Sequence, residues 1–386
     1  NALEDLQIRI TLEPIRDLKI DLTANRTHNR SREMQYMFAG MPDTRSGNFT
    51  MSIISIGSAF ERHNADNGYR SSTFERFRNS LEGIRNRAEA QYANSRYPQG
   101  TALVGKPFDP ANGTVSKHSP DVMIPAFFAA YTGRNARNSA LDIFPSLFAM
   151  MPNWRITYAG LAKIGWFKKN FRSFNLNHAY RSTYSIGSYN TFQSFISYMG
   201  DIGFTEDVQT GNPIPSSRFD ISMVSINEQF SPLIGMDATL KNGMTAKVEY
   251  RTNRVLNLST SACQLVESDS RDFVIGLGYK IINFNLFSQR NVKNSKNRTS
   301  HDLTLRTDIS FRNQSALCRD IQQGSTQATS GNKALKISCS ADYTLSRLLT
   351  LRLYYDRQQN TPLVSSSSYP VVSVDFGFSM KFSLTR

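Results

Sequence analysis

Residues 372–384 read VSVDFGFSMKFSL. Val372, Val374, Phe376, Phe378, Met380, Phe382 and Leu384 fall on one side of an extended chain, and Ser373, Asp375, Gly377, Ser379 and Lys381 on the other. Successive side chains of a strand point to opposite faces, so this is the period of a β-strand. The run is long for the edge of a water-soluble sheet, and it recurs up the chain. Leu349, Leu351, Leu353 and Tyr355 oppose Thr350, Arg352, Tyr354 and Asp356. Leu335, Ile337, Cys339, Ala341 and Tyr343 oppose Lys336, Ser338, Ser340 and Asp342, and Leu303, Leu305, Thr307, Ile309 and Phe311 oppose Thr304, Arg306, Asp308, Ser310 and Arg312.

Further instances are Phe273 to Ile281, Ala246, Val248 and Tyr250 against Lys247, Glu249 and Arg251, and Ile234 to Leu240. At the other end Leu6, Ile8, Ile10 and Leu12 alternate with Gln7, Arg9 and Thr11, and Leu18, Ile20, Leu22 and Ala24 with Lys19, Asp21, Thr23 and Asn25. The polar side carries both signs of charge in almost every strand. A soluble sandwich would turn that side to solvent, whereas an outer-membrane barrel would turn it to a wet interior and the apolar side to lipid. Strand length and connection length favour the barrel. Short links (Glu13 to Asp17, Ala162 to Asn170, Lys241 to Gly243, Ser346 to Leu348) alternate with long polar stretches (Ser194 to Ser217, Ser259 to Ser270, Arg319 to Asn332, Gln358 to Ser368). The link from Asn283 to Ser300 is long for its side. Trp166, Phe167, Lys168 and Lys169 in one short connection suit an anchor at the headgroup level.

Parity constrains the rest. If the last strand runs down to the periplasm, the strand at Trp154 also runs down and the strand from Leu18 runs up, so residues 33–152 form a single extracellular insertion. Met51, Ile53 and Ile56 look strand-like, yet another crossing would break the alternation; the segment is expected to be cap, not wall. It holds the helical signals. Ser72 with Glu75 reads as a capping box ahead of Phe74, Phe77, Leu81, Ile84 and Ala88. Ser119 and Pro120 open a second helix through Tyr131 that Gly133 stops, and a third is expected around Ser139 to Met151, interrupted by Pro145.

Composition excludes several classes. No apolar run approaches 18 residues, which removes a helical membrane protein, and 39% hydrophobic with 11% aromatic residues is too apolar for disorder. The formal charge is +14, but basic and acidic residues interleave instead of clustering, which argues against a nucleic-acid partner. Nothing near Asn1 resembles a signal peptide, so the chain is expected to be processed or a section of a longer one. Cys263, Cys318 and Cys339 form no CxxC pair and no metal pattern; Cys339 and Cys318 fall on opposite faces, which disfavours a disulfide between them. Gly100 to Lys106 fits GxxxxGK, but Pro107 replaces the Ser or Thr that holds magnesium. Of five histidines (His28, His63, His118, His178, His301) only His178 lies in an expected wall strand, where a girdle position is the better reading than catalysis. No catalytic residue, cofactor or metal is expected.

Asp375, Gly377, Met380 and Phe382 place a polar residue, a glycine two positions on, and apolar residues three and five beyond it. This resembles the C-terminal signal by which the outer-membrane assembly machinery recognises a closing strand. Longer phrases resemble the C-terminal region of the SprA/Sov family, the outer-membrane translocons of the type IX secretion system in Bacteroidetes. They are YPVVSVDFGFSMKFSLTR (369–386), FSPLIGMDATLKNGM (230–244), FVIGLGYKI (273–281), NWRITYAGL (153–161) and IGSAFE (56–61). The resemblance implies one giant barrel that exports cargo proteins bearing a C-terminal secretion domain, with plug and lateral-gate proteins as partners.

The expected fold is therefore all-β and transmembrane: an antiparallel outer-membrane β-barrel segment, part of a giant barrel, with a partly helical extracellular insertion. Residues 1–32 and 153–386 supply strands, and the C-terminus lies in the periplasm. Arg9, Lys19, Asp21, Lys247, Glu249, Arg251, Arg306, Asp308, Lys336, Asp342, Arg352 and Asp356 are the candidate lumen lining, and the partners are the N-terminal remainder of the barrel, cargo, the gating proteins and outer-membrane lipid. The alternatives are another large outer-membrane transporter and a soluble β-sandwich adhesin.

Overall fold

The computed structural model describes residues 1–34, 37, 43–61, 65–207, 209–284, 302–345, 348–364 and 369–382. The expected positions Leu384, His63 and His301, and most of the link from Asn283 to Ser300, lie outside them. Strand makes up 57% of the described residues and helix 15%, so the fold is mostly antiparallel sheet. Among the described residues no helix is long and apolar enough to cross a membrane.

In chain order the elements are β1 (Ala2–Ile15), β2 (Leu18–Glu33), β3 (Thr44–Ser52), α1 (Ser72–Ala90), α2 (Pro120–Tyr131), β4 (Asn153–Tyr158), α3 (Gly165–Asn170) and β5 (Phe171–Thr191). Then follow β6 (Ile196–Met199), β7 (Ile202–Glu206), β8 (Pro213–Ser217), β9 (Phe219–Asp220), β10 (Met223–Leu240), β11 (Met244–Ser259) and β12 (Gln264–Ile281). The last four are β13 (Leu303–Asp320), β14 (Thr326–Thr344), β15 (Leu349–Pro362) and β16 (Val371–Phe382). One 13-stranded sheet runs in the order β1-β2-β3-β5-β10-β11-β12-β13-β14-β15-β16, with β4 between β2 and β5 and β9 beside β5; β6, β7 and β8 make a small separate sheet. The end with the tight turns at Arg16–Asp17 and Lys241–Gly243 is called lower here.

The registers give each face a definite composition. Met236, Val248, Ile275, Ile309, Ile337 and Arg357 follow one another across β10 to β15 on one face, while Asp237, Lys247, Gly276, Asp308, Ser338 and Asp356 follow on the other. On the first face the apolar lower half ends at a row of polar residues at a similar level in most strands, above which β3, β5, β10, β11 and β12 turn apolar again where the insertion covers them. The change falls between Leu6 and Glu4, Ala24 and Arg26, Tyr180 and Ser182, Phe230 and Glu228, Tyr250 and Arg254, Phe273 and Arg271, Phe311 and Asn313, Leu335 and Lys333, and Tyr355 and Arg357. Below that line the large side chains stay exposed, among them Ile8, Ile10, Phe273, Leu277, Phe311, Leu353, Phe376 and Phe378. This is an apolar belt.

Two expectations change here. Residues 33–152 were expected to contain no wall strand, but β3 pairs with the upper half of β2 (Arg26 to Glu33) and of β5, while β4 pairs with the lower half of β2 (Leu18 to Thr23) and of β5. β3 and β4 run the same way and together fill one strand position, so the alternation of direction survives and the insertion proper spans 53–152. The break sits on the line where the belt ends. Backbone groups that lose ladder partners there need replacements. Ser52 Oγ accepts from the Asn25 amide (3.0 Å) and from Asn153 Nδ2 (3.2 Å), Asn153 Oδ1 accepts from the Ser182 amide (2.7 Å), and the Met151 amide donates to the Ser52 carbonyl (3.0 Å).

The second change concerns length. The stretches expected as long loops after Ser259 and Arg319 are mostly strand, with turns only between Ser259 and Gln264 and between Asp320 and Thr326. Strands of 16 to 21 residues such as β5, β11 and β13 exceed the roughly 9–11 that span a bilayer. Above the belt they run on as paired strand, partly in water and partly beneath the insertion, where no lipid-facing apolar period is required.

The insertion lies on the belt face, above the belt. Phe74, Phe77, Leu81 and Ile84 of α1 and Val122 to Tyr131 of α2 pack against Met51, Tyr184, Ile186, Val224, Ile226, Leu256, Leu258 and Leu265. The helical faces are those read from the sequence, and Gly133, at φ +72°, stops α2 in the left-handed region that favours glycine. The third expected helix is reduced to one turn, Leu147–Ala149, since Pro145 lacks an amide to donate.

The cap of α1 also differs from the expected box. Ser71 accepts from the Phe74 amide (3.1 Å), and the second partner is Glu61 rather than Glu75: its carboxylate accepts from the Ser71, Ser72 and Thr73 hydroxyls and the Thr73 amide at 2.5–2.9 Å. Partial burial pushes this carboxyl up, but those four donors outweigh it and hold it below the ordinary value of 4.5. A depressed folded value adds stability that is complete above 4.5 and lost as pH falls through the folded value. Glu61→Gln is expected to cost about 1–2 kcal/mol at neutral pH and to remove this acid dependence, measured as hydrogen exchange of the first turn of α1 between neutral and acidic buffer.

Candidate functional site on the charged face

All twelve candidate lining residues share the face opposite the belt. Asp21 stands opposite Thr11, and Arg9 opposite Thr23. Lys247 faces Gly276, which in turn faces Asp308; Ser338 links Asp308 to Asp356, and Asp356 faces Asp375. Asp342 faces Arg352, and Lys336 faces Ser310. Sequence parity could place them on a common side, but only the register shows which strands meet.

Most of these charges have an opposite neighbour. Glu249 takes Lys247 at 3.0 Å and also Arg251; Asp21 takes Lys19 at 3.5 Å and the Thr11 hydroxyl at 2.6 Å; Asp342 takes Arg352 at 3.6 Å. Exposed pairs like these contribute little stability, in the range of about 0–1 kcal/mol. What they do is keep the surface wet while limiting its net field. A solute moving over it meets hydration and charge of both signs, much of it already paired.

Sequence reasoning missed part of this face. Arg312 joins Asp272 at 2.7 Å, and Arg155 and Arg181 stand with Arg9 and Asp21 around a hollow of about 380 Å³ beside the broken strand position. Arg312 was visible as a polar-side residue; Arg155 sits in a strand too short to show a period.

Sequence reasoning also missed a buried ionic network at belt-face positions above the belt. Arg254 donates to Glu228 (2.6 Å), to the Ser58 carbonyl (2.6 Å) and to Ser58 Oγ (2.8 Å). Arg319 donates through Nε and Nη2 to Glu267 (3.0 and 2.8 Å) and through Nη1 to the Tyr69 carbonyl (2.7 Å). The Tyr180 and Ser55 hydroxyls donate to Glu228 at 2.9 and 2.7 Å. The readable signal was charge interrupting the apolar parity, as in Tyr250-x-Thr252-x-Arg254. These groups tie the insertion to the sheet.

The remaining candidates take structural places. His178 bonds through Nδ1 to the Leu233 carbonyl (2.6 Å) in the bulge that Pro232, lacking an amide, forces on β10. Gly100 to Lys106 form a loop beside a bridge between Arg96 and Pro107. The three cysteines are free, and among the described residues no group of three or more His, Cys, Asp or Glu could hold a metal. In β16, Asp375 and Gly377 lie on the charged face and Met380 and Phe382 on the belt face. Tyr354, opposite Gly377, lays its phenol where a Cβ would stand, so that position accepts only glycine without rearrangement. No family model and no curated protein matches the chain.

Proposed function

We propose that this chain forms part of the wall of a giant outer-membrane β-barrel that conducts proteins out of the cell, the C-terminal part of a type IX secretion translocon. The observation that carries the reading is the belt: exposed aliphatic and aromatic side chains confined to one face and ending at one level across the sheet. A soluble protein rarely exposes an apolar patch beyond a few hundred Å², whereas a barrel needs an apolar band about 25 Å tall with aromatic girdles. Trp166, Phe167, Phe171 and Phe174 cluster at the lower end and supply such a girdle.

Two further features support a large barrel. The sheet has eleven strand positions along its path, and among the described residues β1 and β16 each leave one edge unpaired. Open edges cannot stand in lipid, and single-chain bacterial barrels have even strand numbers, so the wall is completed by strands of the barrel's N-terminal remainder. The sandwich alternative would need a second layer over the belt, where the side chains are instead exposed. The protein-conducting role rests on the resemblance to the SprA/Sov family and on the wet, mixed-charge face with many of its charges paired, which suits a lining that cargo passes without sticking. Cargo with a C-terminal secretion domain and plug and lateral-gate proteins are the partners in this reading. Depletion of the chain should strand such cargo in the periplasm; unchanged secretion would contradict the assignment.

A further inference from the structure

We infer that the insertion is also a membrane-contacting foot, with Phe60, Leu147, Phe148 and Met151 entering the outer leaflet beside the belt. The inference rests on the reading of the belt as lipid-facing and adds a second lipid contact that the strands do not supply.

Placement comes first. The insertion leaves the sheet at Ser52 and returns at Asn153, on the line where the belt ends, and it packs on the belt face. Its lowest parts must therefore stand where lipid headgroups meet the wall. Phe60 rests on Phe230, the uppermost belt residue of β10, with ring centroids 5.4 Å apart. Met151 is held at the break by its amide bond to the Ser52 carbonyl, and Leu147 and Phe148 precede it in the single turn Leu147–Ala149.

Exposure comes second. Phe148 is 94% exposed, and Phe60, Leu147 and Met151 are exposed as well. Neighbouring apolar residues of the same segment, Ile143 and Ala149, are buried, so the outward turn at Leu147 and Phe148 is a local choice of the fold. Arg134 reaches the Ala149 carbonyl (3.4 Å) and stacks on Phe128 at 5.3 Å, which sets a guanidinium beside the apolar tip. Apolar side chains flanked by a cation are the chemistry of an interfacial anchor, with apolar groups at the acyl boundary and the cation at anionic headgroups. Continuity with the belt selects lipid as the occupant over a protein partner.

The test uses the chain in its native outer membrane, fused with vesicles of phosphatidylcholine brominated along the acyl chains. Cys263, Cys318 and Cys339 are replaced by serine, and an environment-sensitive fluorophore is attached in turn at Phe148→Cys, at Val374→Cys in the belt and at Asn86→Cys on the exposed side of α1. The labels at 148 and 374 should each lose roughly half their emission to the bromolipid, as expected for a group about 5–10 Å into the boundary between headgroups and acyl chains, while the label at 86 keeps its emission. Quenching at 374 with none at 148 would overturn the foot and leave the barrel reading standing. Absence of quenching at 374 would overturn the barrel reading and the foot with it.

Discussion

Arg319→Ala should release the insertion from the sheet. The guanidinium is completely buried, forked onto Glu267 and bonded to the Tyr69 carbonyl just ahead of α1, with its plane 5.5 Å over the ring of Phe74. Truncation leaves the Glu267 carboxylate 2% exposed with its principal cation gone. Breaking a buried pair in this way costs about 3–5 kcal/mol. The loss falls on the contact between insertion and wall, because β13 and its neighbours keep their ladders. The expected result is fast hydrogen exchange and protease cleavage across residues 65–131, with protection of β12 to β15 unchanged. Protection of α1 equal to that of the unaltered protein would show that the network does not fasten the insertion. Arg319→Met with Glu267→Met provides the internal control, since replacing both charges with apolar groups of similar volume is expected to restore much of the lost stability.

The second large effect compares neighbours in one strand. Ile309 points out of the belt between Ile275 and Ile337, and Ser310 points the other way between Val274 and Lys336. If the belt meets lipid, Ile309→Arg places a guanidinium in hydrocarbon and costs about 2–4 kcal/mol near the midplane, while Ser310→Arg enters a wet, mixed-charge surface and costs within about 0.5 kcal/mol. Urea unfolding from bilayers should separate the two variants by that amount. Equal stabilities would remove the distinction between the faces.

The fold was legible where one physical demand repeated. A surface that is apolar on one side for nine or more residues writes itself into the sequence with period two, and the lower halves of β13, β14 and β15 and nearly all of β16 could be read from it. The rule failed above the belt, where strand residues such as 326–333 of β14 pair in water and carry Thr, Gln, Ser, Asn and Lys on both faces. It failed again at the broken position. β3 is mostly polar and β4 is six residues long, so neither looks like a crossing, and only pairing to opposite halves of β2 and β5 joins them. Parity matched the eleven strand positions of the sheet and assigned all of this one to Trp154. The charged face could be read as a set but not as a geometry, since cross-strand neighbours such as Asp342 and Arg352 depend on turn lengths. The buried network was hidden for a different reason: Arg254, Glu267 and Arg319 look solvent-facing until the insertion covers them.

The central claim is that one face of this sheet meets lipid and the other water. Single cysteines at each position from 349 to 356 of β15, in a chain lacking Cys263, Cys318 and Cys339, can be exposed in isolated outer membranes to a charged maleimide that does not enter lipid. The positions of Thr350, Arg352, Tyr354 and Asp356 should label and those of Leu349, Leu351, Leu353 and Tyr355 should stay protected. Equal labelling of the two sets would contradict the account.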